Sequence, residues 1–294
     1  MAIAILPLGG CLFGDDPPEL VIFVDKALAA PLNELVNAYR EAHDDDLPYD
    51  IRIVSGDGAE LAARINGEQP VAPAPVAEEP AEPVEPAEPG EQAEPEPPLK
   101  ADLFLPLRHA DLVHIGDRAV RTAQVAEMVP TVLVHDKFEK GLDTFADLAK
   151  PNVRLAIGDK SKVAIGEAAE ALMDRTEKPT EFHRHVIYRT ETAEELVHLV
   201  RVGWADAAII WKHMLKSPEA AKSTEMPLPD DLIDPTPITL AETDDGKLPV
   251  EASALAAYLG KAESRAVFAR HGFGIPVDAM TTGDAVSAER DGNS

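Results

Sequence analysis

Two segments, each running from an apolar strand through a short polar turn into an amphipathic helix, constrain this chain more than any other feature. The first is LVIFVDKALAA, Leu20 to Ala30, and the second is IRIVSGDGAELAARI, Ile51 to Ile65. The turns are Asp25-Lys26 and Ser55-Gly56-Asp57-Gly58. Such units leave the first free backbone N–H groups of two helices pointing into the crevice at the carboxyl ends of parallel strands. There the helix dipole favours an anion. The opening of the chain therefore predicts a small-ligand cleft, without saying whether the ligand is transformed.

A chain of 294 residues buries one large core or two smaller ones, and length favours two. A formal net charge of -26 excludes nucleic acid as a partner, because neutralising phosphates requires Lys/Arg patches. No run of 18 apolar residues is present, so no membrane-spanning helix is expected. At the N-terminus an apolar stretch ends in Leu8-Gly9-Gly10-Cys11, followed by an acidic, Pro-containing spacer. This resembles the lipobox of bacterial lipoproteins, with Cys11 as the acylated residue. Cys11 is the sole cysteine, which excludes an internal disulfide framework.

Residues Glu68 to Leu99 hold ten of the chain's 26 prolines and nine Glu, with no Lys or Arg. The segment reads as an extended, polyproline-like disordered loop. It is inserted within a domain, because ADLFLPL (Ala101 to Leu107) reads as a buried strand belonging with the two before it. Further on, Val125 to Lys137 reads as one strand, and a helix is expected from about Ala164. EFHRHVIYRT, Glu181 to Thr190, is strand-like. The stretch from Ala252 to Pro276 gives two helices broken at Gly260 and capped at Gly272. The expected division is residues 1–18 signal, lipobox and spacer, 19–125 a first lobe carrying the insertion 68–99, and 126–217 a second lobe. Residues 218–278 return to the first lobe, and 279–294 form a polar tail. The fold class is α/β, two lobes around a cleft.

The carriers of a family likeness are VIFVDKALAAPLNEL, ELAARI, KADLF (Lys100 to Phe104), RLAIGDKSKVAIGEAAEAL with its G-D-x-x-x-V-x-x-G spacing, VGWADAAIIW and FARHGFGIP. With these in order, the chain resembles a type II periplasmic solute-binding protein, nearest to the molybdate-binding component of ABC importers. The resemblance covers about residues 20 to 276 outside the insertion. It implies a ligand held by neutral donors in a dry cleft: two Ser hydroxyls, backbone amides and a Tyr hydroxyl. On this chain the first Ser position falls on Ala27 and the second near Gly58 or Ala59, so both hydroxyls are missing. The amide positions fall on Ile165 and Ala193, and the Tyr position on Trp211, whose indole N–H also donates. Lys26 adds a cation beside Ala27.

The rim carries Asp25, Lys26, Asp57, Arg108, Lys160 and Lys162, charges that a zwitterionic or cation-bearing ligand would use in both signs. The histidine pairs His183/His185 and His109/His114 lack ligand spacing with Cys, Asp or Glu and read as surface residues, so no metal and no cofactor is expected. No nucleophile motif is present, and no enzyme is expected. The resulting expectation is an extracytoplasmic, lipid-anchored, monomeric importer component. It would bind a small molybdate- or tungstate-type oxyanion by hinge closure and dock on a membrane permease. The second reading is an envelope scaffold or sensor that keeps the fold with a degenerate site.

Overall fold

The computed structural model describes residues 17–43, 47–68, 100–138 and 141–276. Cys11, the Pro/Glu-rich residues 69–99 and the tail beyond 276 lie outside the described residues.

The first strand, β1 (Glu19–Asp25), sends Leu20, Ile22 and Val24 into one apolar core and Val21 and Phe23 into another. Alternate residues of a strand point to opposite faces, so a run apolar at every position is a strand covered on both sides. A single 3-10 turn leads into α1 (Ala29–Glu41), which buries Leu32, Leu35, Val36 and Tyr39. The unit repeats in β2 (Asp50–Gly56) and α2 (Gly58–Ile65), then in β3 (Leu103–Leu105) and α3 (His109–Ile115). The chain crosses out of this lobe along β4 (Ala119–Met128) and enters the second on β5 (Pro130–His135). There β6 (Leu155–Gly158), α4 (Ala164–Asp174), α5 (Pro179–His185), β7 (Val186–Thr190), α6 (Ala193–Arg201) and β8 (Ala207–Trp211) follow. An edge strand, β9 (Ser223–Met226), precedes the return on β10 (Thr236–Thr243) and the closing helices α7 (Pro249–Leu259) and α8 (Ala262–Arg270).

The strands form two five-stranded sheets, β2-β1-β3-β10-β4 and β7-β6-β8-β5-β9. In each sheet the first three strands are parallel and the last two are joined antiparallel. The lobes are thus built on one plan, in which β6 stands where β1 stands and β8 where β3 stands. The expected α/β architecture of two lobes around a cleft is what the chain adopts.

The plan includes a shared fastening. Asp102, just before β3, is buried, and its carboxylate accepts from the Val21 N–H of β1 at 2.7 Å and from the Leu248 N–H before α7 at 2.8 Å. Asp206, just before β8, is equally buried and accepts from the Arg154 N–H ahead of β6 at 2.8 Å and from the Arg154 guanidinium Nε at 3.1 Å. Each lobe therefore has a buried carboxylate tying the amino ends of its neighbouring parallel strands.

Several sequence expectations are corrected. Val125 to Lys137 is two strands in two sheets, with Val129 between them; its carbonyl accepts from the Lys212 N–H at 2.8 Å. The apolar run is continuous through the crossing, so no turn residue marks it. The lobe boundaries shift accordingly: residues up to Met128 stay in the first sheet, and β9 belongs to the second, so the return begins at β10 and not at residue 218. Glu181 to Thr190 is the end of α5 followed by β7. Phe182 on α5 stacks on Phe145 at 4.9 Å and is buried, a tertiary contact that overrides local strand preference. His183 and His185 consequently lie on a helix and do not share a strand face.

Candidate functional site

The carboxyl ends of the parallel strands in both lobes, and the helix starts that follow them, face one gap. At the end of β1 the Asp25 carboxylate accepts from the Ala27 N–H at 3.0 Å; past β2 the Asp57 carboxylate accepts from the Ala59 N–H at 3.0 Å. Each aspartate is the N-cap of its helical segment, a role in which a side-chain oxygen satisfies a first-turn donor. The amides that the sequence offered to a bound anion in this lobe are thus engaged by the chain's own carboxylates.

Gly58, one of the two positions onto which the resemblance puts the second Ser, has no space for a side chain. A Cβ there would lie 2.5 Å from Oδ2 of Asp111 and 3.2 Å from Oδ2 of Asp25. The two carboxylates converge on its Cα and leave no room for a serine side chain. Asp111, on α3, is held by both Nε and Nη2 of Arg108, at 3.1 and 2.7 Å. Asp25 is 8% exposed and has no ion-pair partner among the described residues. Burial, with repulsion from Asp57 and Asp111, raises its pKa above the ordinary carboxylate value, against the opposing amide hydrogen bonds of Ala27 and Gly58.

The second lobe differs. Val163, ahead of α4, makes no side-chain cap, so the first-turn amides of Ala164 and Ile165 are not taken by a side chain. At α6, Thr192 accepts from the Glu195 N–H at 3.3 Å, and Glu195 reaches back to the Glu191 and Thr192 N–H groups. This capping box leaves the Ala193 and Glu194 amides without a side-chain acceptor. The G-D-x-x-x-V-x-x-G spacing has a packing reason: a Cβ on Gly166 would lie 2.5 Å from the Gly158 carbonyl, so only glycine lets α4 start this close to β6.

Between the lobes lies a cavity of about 260 Å³. Of the expected site residues, Lys26, Ala27, Ile165, Ala193 and Trp211 line it, whereas Gly58 and Ala59 sit in the turn behind Asp57 and do not. Asp25, Asp57, Arg108 and Lys162 of the rim also line it; Lys160 instead pairs with Glu170 at 2.8 Å. A larger groove of about 690 Å³ runs beside Phe145 and Phe182 on the second lobe, but none of these strand ends and helix starts contributes to it.

Sequence reasoning missed Asp111 and His213. The i,i+3 spacing of Arg108 and Asp111 was a usable signal. His213 lines the cavity, stacks on Phe273 at 4.6 Å, and burial pushes its pKa down to about 4; no local pattern announces it. Among the described residues no group of three or more His, Cys, Asp or Glu is placed to hold a metal ion.

Two lobes of one plan, with a cavity edged by charged side chains where their helix starts meet, define a two-lobed binding protein. The model of the family described as bacterial extracellular solute-binding proteins matches residues 20–274, and the chain belongs to that family. A Haemophilus influenzae chain described as a binding protein is 27% identical over 82 residues, a match spanning 28% of this chain and 34% of that protein. Among solved structures, a substrate-binding domain described as part of a molybdenum ABC transporter from Clostridium difficile aligns over 88% of this chain and 99% of its own, with a TM-score of 0.67 at 12% identity. The L-phospholactate-bound PEB3, a Campylobacter jejuni protein, aligns over 87% of this chain and 100% of its own at 0.62 and 14% identity. The periplasmic molybdate-binding protein of Azotobacter vinelandii aligns over 87% and 99% at 0.57 and 12% identity. These likenesses show the fold alone. Membership makes the chain a bacterial extracellular solute-binding protein. Among the described residues no helix is long and apolar enough to cross a membrane.

Proposed function

We propose that this chain captures a small anion-bearing solute in the interlobe cleft, closes on it by a hinge, and delivers it as a monomer to a membrane permease. The observation that carries this reading is the pair of helix starts on the second lobe, at Ile165 and Ala193, whose amides no side chain caps and which line the same cavity. Dipole and N–H groups together favour an acid group there. A molybdate- or tungstate-type oxyanion is one candidate. The two carboxylates on the opposite wall, Asp25 and Asp57, favour an acid group carried on a larger solute. Ligand bridging both lobes shifts the population to the closed form, which is the form that docks. Cys11 is the proposed acylation site tethering the receptor to its membrane. Its test is Cys11→Ser, which releases the protein from the membrane fraction of expressing cells.

The amide role is tested by Ala193→Pro. Position 193 is the first of α6 and follows Thr192 at φ -128, ψ 155, so proline fits the backbone while deleting the N–H. Isothermal titration with molybdate, sulfate, phosphate and 2-aminoethylphosphonate measures binding to both forms. The expected result is a loss of about tenfold or more for whichever probe binds the parent. Unchanged affinity in Ala193→Pro refutes the placement.

A further inference from the structure

We propose that the solute is a small zwitterion, its acid group on the helix starts of the second lobe and its ammonium group between Asp25 and Asp57 of the first. This rests on the receptor reading and names the solute class for the same cleft.

The argument begins with Asp25, a residue 8% exposed in the cavity wall, whose carboxylate is met by the Ala27 and Gly58 amides but by no salt-bridging cation among the described residues. A buried carboxylate is costly unless something supplies a counter-charge. The chain's own candidates are otherwise placed. Arg108, which lines the same cavity and whose charge also reaches Asp57 and Asp25, is committed by hydrogen bonds through two nitrogens to Asp111, and Lys26 and Lys162 are exposed at the rim. Asp57, exposed at the cavity's edge, lines it as well and has no ion-pair partner among the described residues. Each carboxylate offers about four lone-pair sites. The Ala27 and Gly58 amides use part of the capacity of Asp25, and the Ala59 amide part of that of Asp57. An ammonium with three donors fits the remainder.

The facing wall has the opposite preference. The amides of α4 and α6, with Lys162, present positive ends; Glu191 and Glu194 at that rim are exposed. A bare dianion is attracted by one wall and repelled by the other, whereas a zwitterion satisfies both. The hydroxyls absent at Ala27 and Gly58 agree with this, since the volume beside Gly58 is held by carboxylate oxygens. A cavity of about 260 Å³ falls below the roughly 300–1,000 Å³ of drug-sized sites, so the two charged groups stand only a few bonds apart.

The test strips the full chain of ligand by unfolding and refolding. It is then titrated calorimetrically with glycine, β-alanine, γ-aminobutyrate, 2-aminoethylphosphonate and taurine, each beside its amine-free counterpart: acetate, propionate, butyrate, ethylphosphonate and ethanesulfonate. Molybdate and sulfate complete the panel. The expected result is that one zwitterion binds and its amine-free counterpart, molybdate and sulfate do not. Asp25→Asn, which keeps an oxygen for the Ala27 cap, then weakens that zwitterion by about 30-fold or more. Asp57→Asn weakens it in the same direction and serves as the second variant. An amine-free anion that binds as tightly as its zwitterion, or full affinity in both Asn variants, overturns the proposal and leaves the receptor reading standing. No binding by any member of the panel overturns both.

Discussion

Replacing Asp102 by alanine tests whether the buried carboxylate ahead of β3 holds the first lobe together. The side chain is 2% exposed and accepts two main-chain N–H groups, from Val21 at 2.7 Å and Leu248 at 2.8 Å. Hydrogen bonds to a charged acceptor contribute about 1.5–3 kcal/mol each, and the truncation also leaves one buried and one part-buried donor without partners. Gly246 packs against the same carboxylate, with its Cβ position 2.8 Å from Oδ1, so no side chain stands ready to take over. The expected cost is about 3–5 kcal/mol, which in a protein of this size lowers Tm by roughly 6–20 °C. Urea unfolding followed by circular dichroism measures it, with the m-value showing whether the lobes unfold together. Asp102→Asn keeps one acceptor and is expected to lose about half as much. A loss under about 1 kcal/mol in Asp102→Ala refutes the reasoning, because the two N–H groups would then be satisfied some other way.

Asp206→Ala is the matching perturbation in the second lobe. It is expected to cost about 2–4 kcal/mol by the same assay, somewhat less because the Arg154 side chain is 39% exposed and regains water. Gly58→Ser, which puts a hydroxyl at one of the two positions where the resemblance expects one, is expected to destabilise by about 1–3 kcal/mol and to add no calorimetric molybdate binding. Its Cβ falls 2.5 Å from the buried Asp111 carboxylate. His213 links stability to pH. Its folded pKa of about 4 lies below the ordinary 6.5, so its contribution is intact above pH 6.5 and is lost as pH falls toward 4, by at most about 3 kcal/mol. Urea midpoints at pH 7 and 4.5 are expected to differ less in His213→Phe, which keeps a ring against Phe273; an equal difference assigns the slope to other groups.

The lobes were legible because strand-to-helix turns are local: β1 and β2 with their helices, and α4 from Ala164, follow from apolar runs and turn residues alone. The crossing at Val129 was not, since a strand leaving one sheet for another keeps its apolar character and only its partners change. The helix at Pro179 to His185 was hidden for a related reason, its stability coming from Phe145, distant in sequence. In the cleft, the positions Ala27, Ile165, Ala193 and Trp211 were reachable from order along the chain. What the missing hydroxyls meant was not. It took the convergence of Asp25 and Asp111 on Gly58 to show that side chains from two other segments fill that space.

The paired aspartates Asp102 and Asp206 sit at the amino ends of β3 and β8, whereas the cavity residues sit at the carboxyl ends of the parallel strands. Each lobe therefore keeps its architectural fastening a full strand length from its chemistry. Substitutions at Asp25, Gly58 or Ala193 leave that fastening untouched, and substitutions at the fastening leave the ligand's immediate surroundings in place. Such a separation lets one scaffold be refitted to new solutes by exchanging turn residues, each lobe independently of the other, without renegotiating what keeps the sheets assembled.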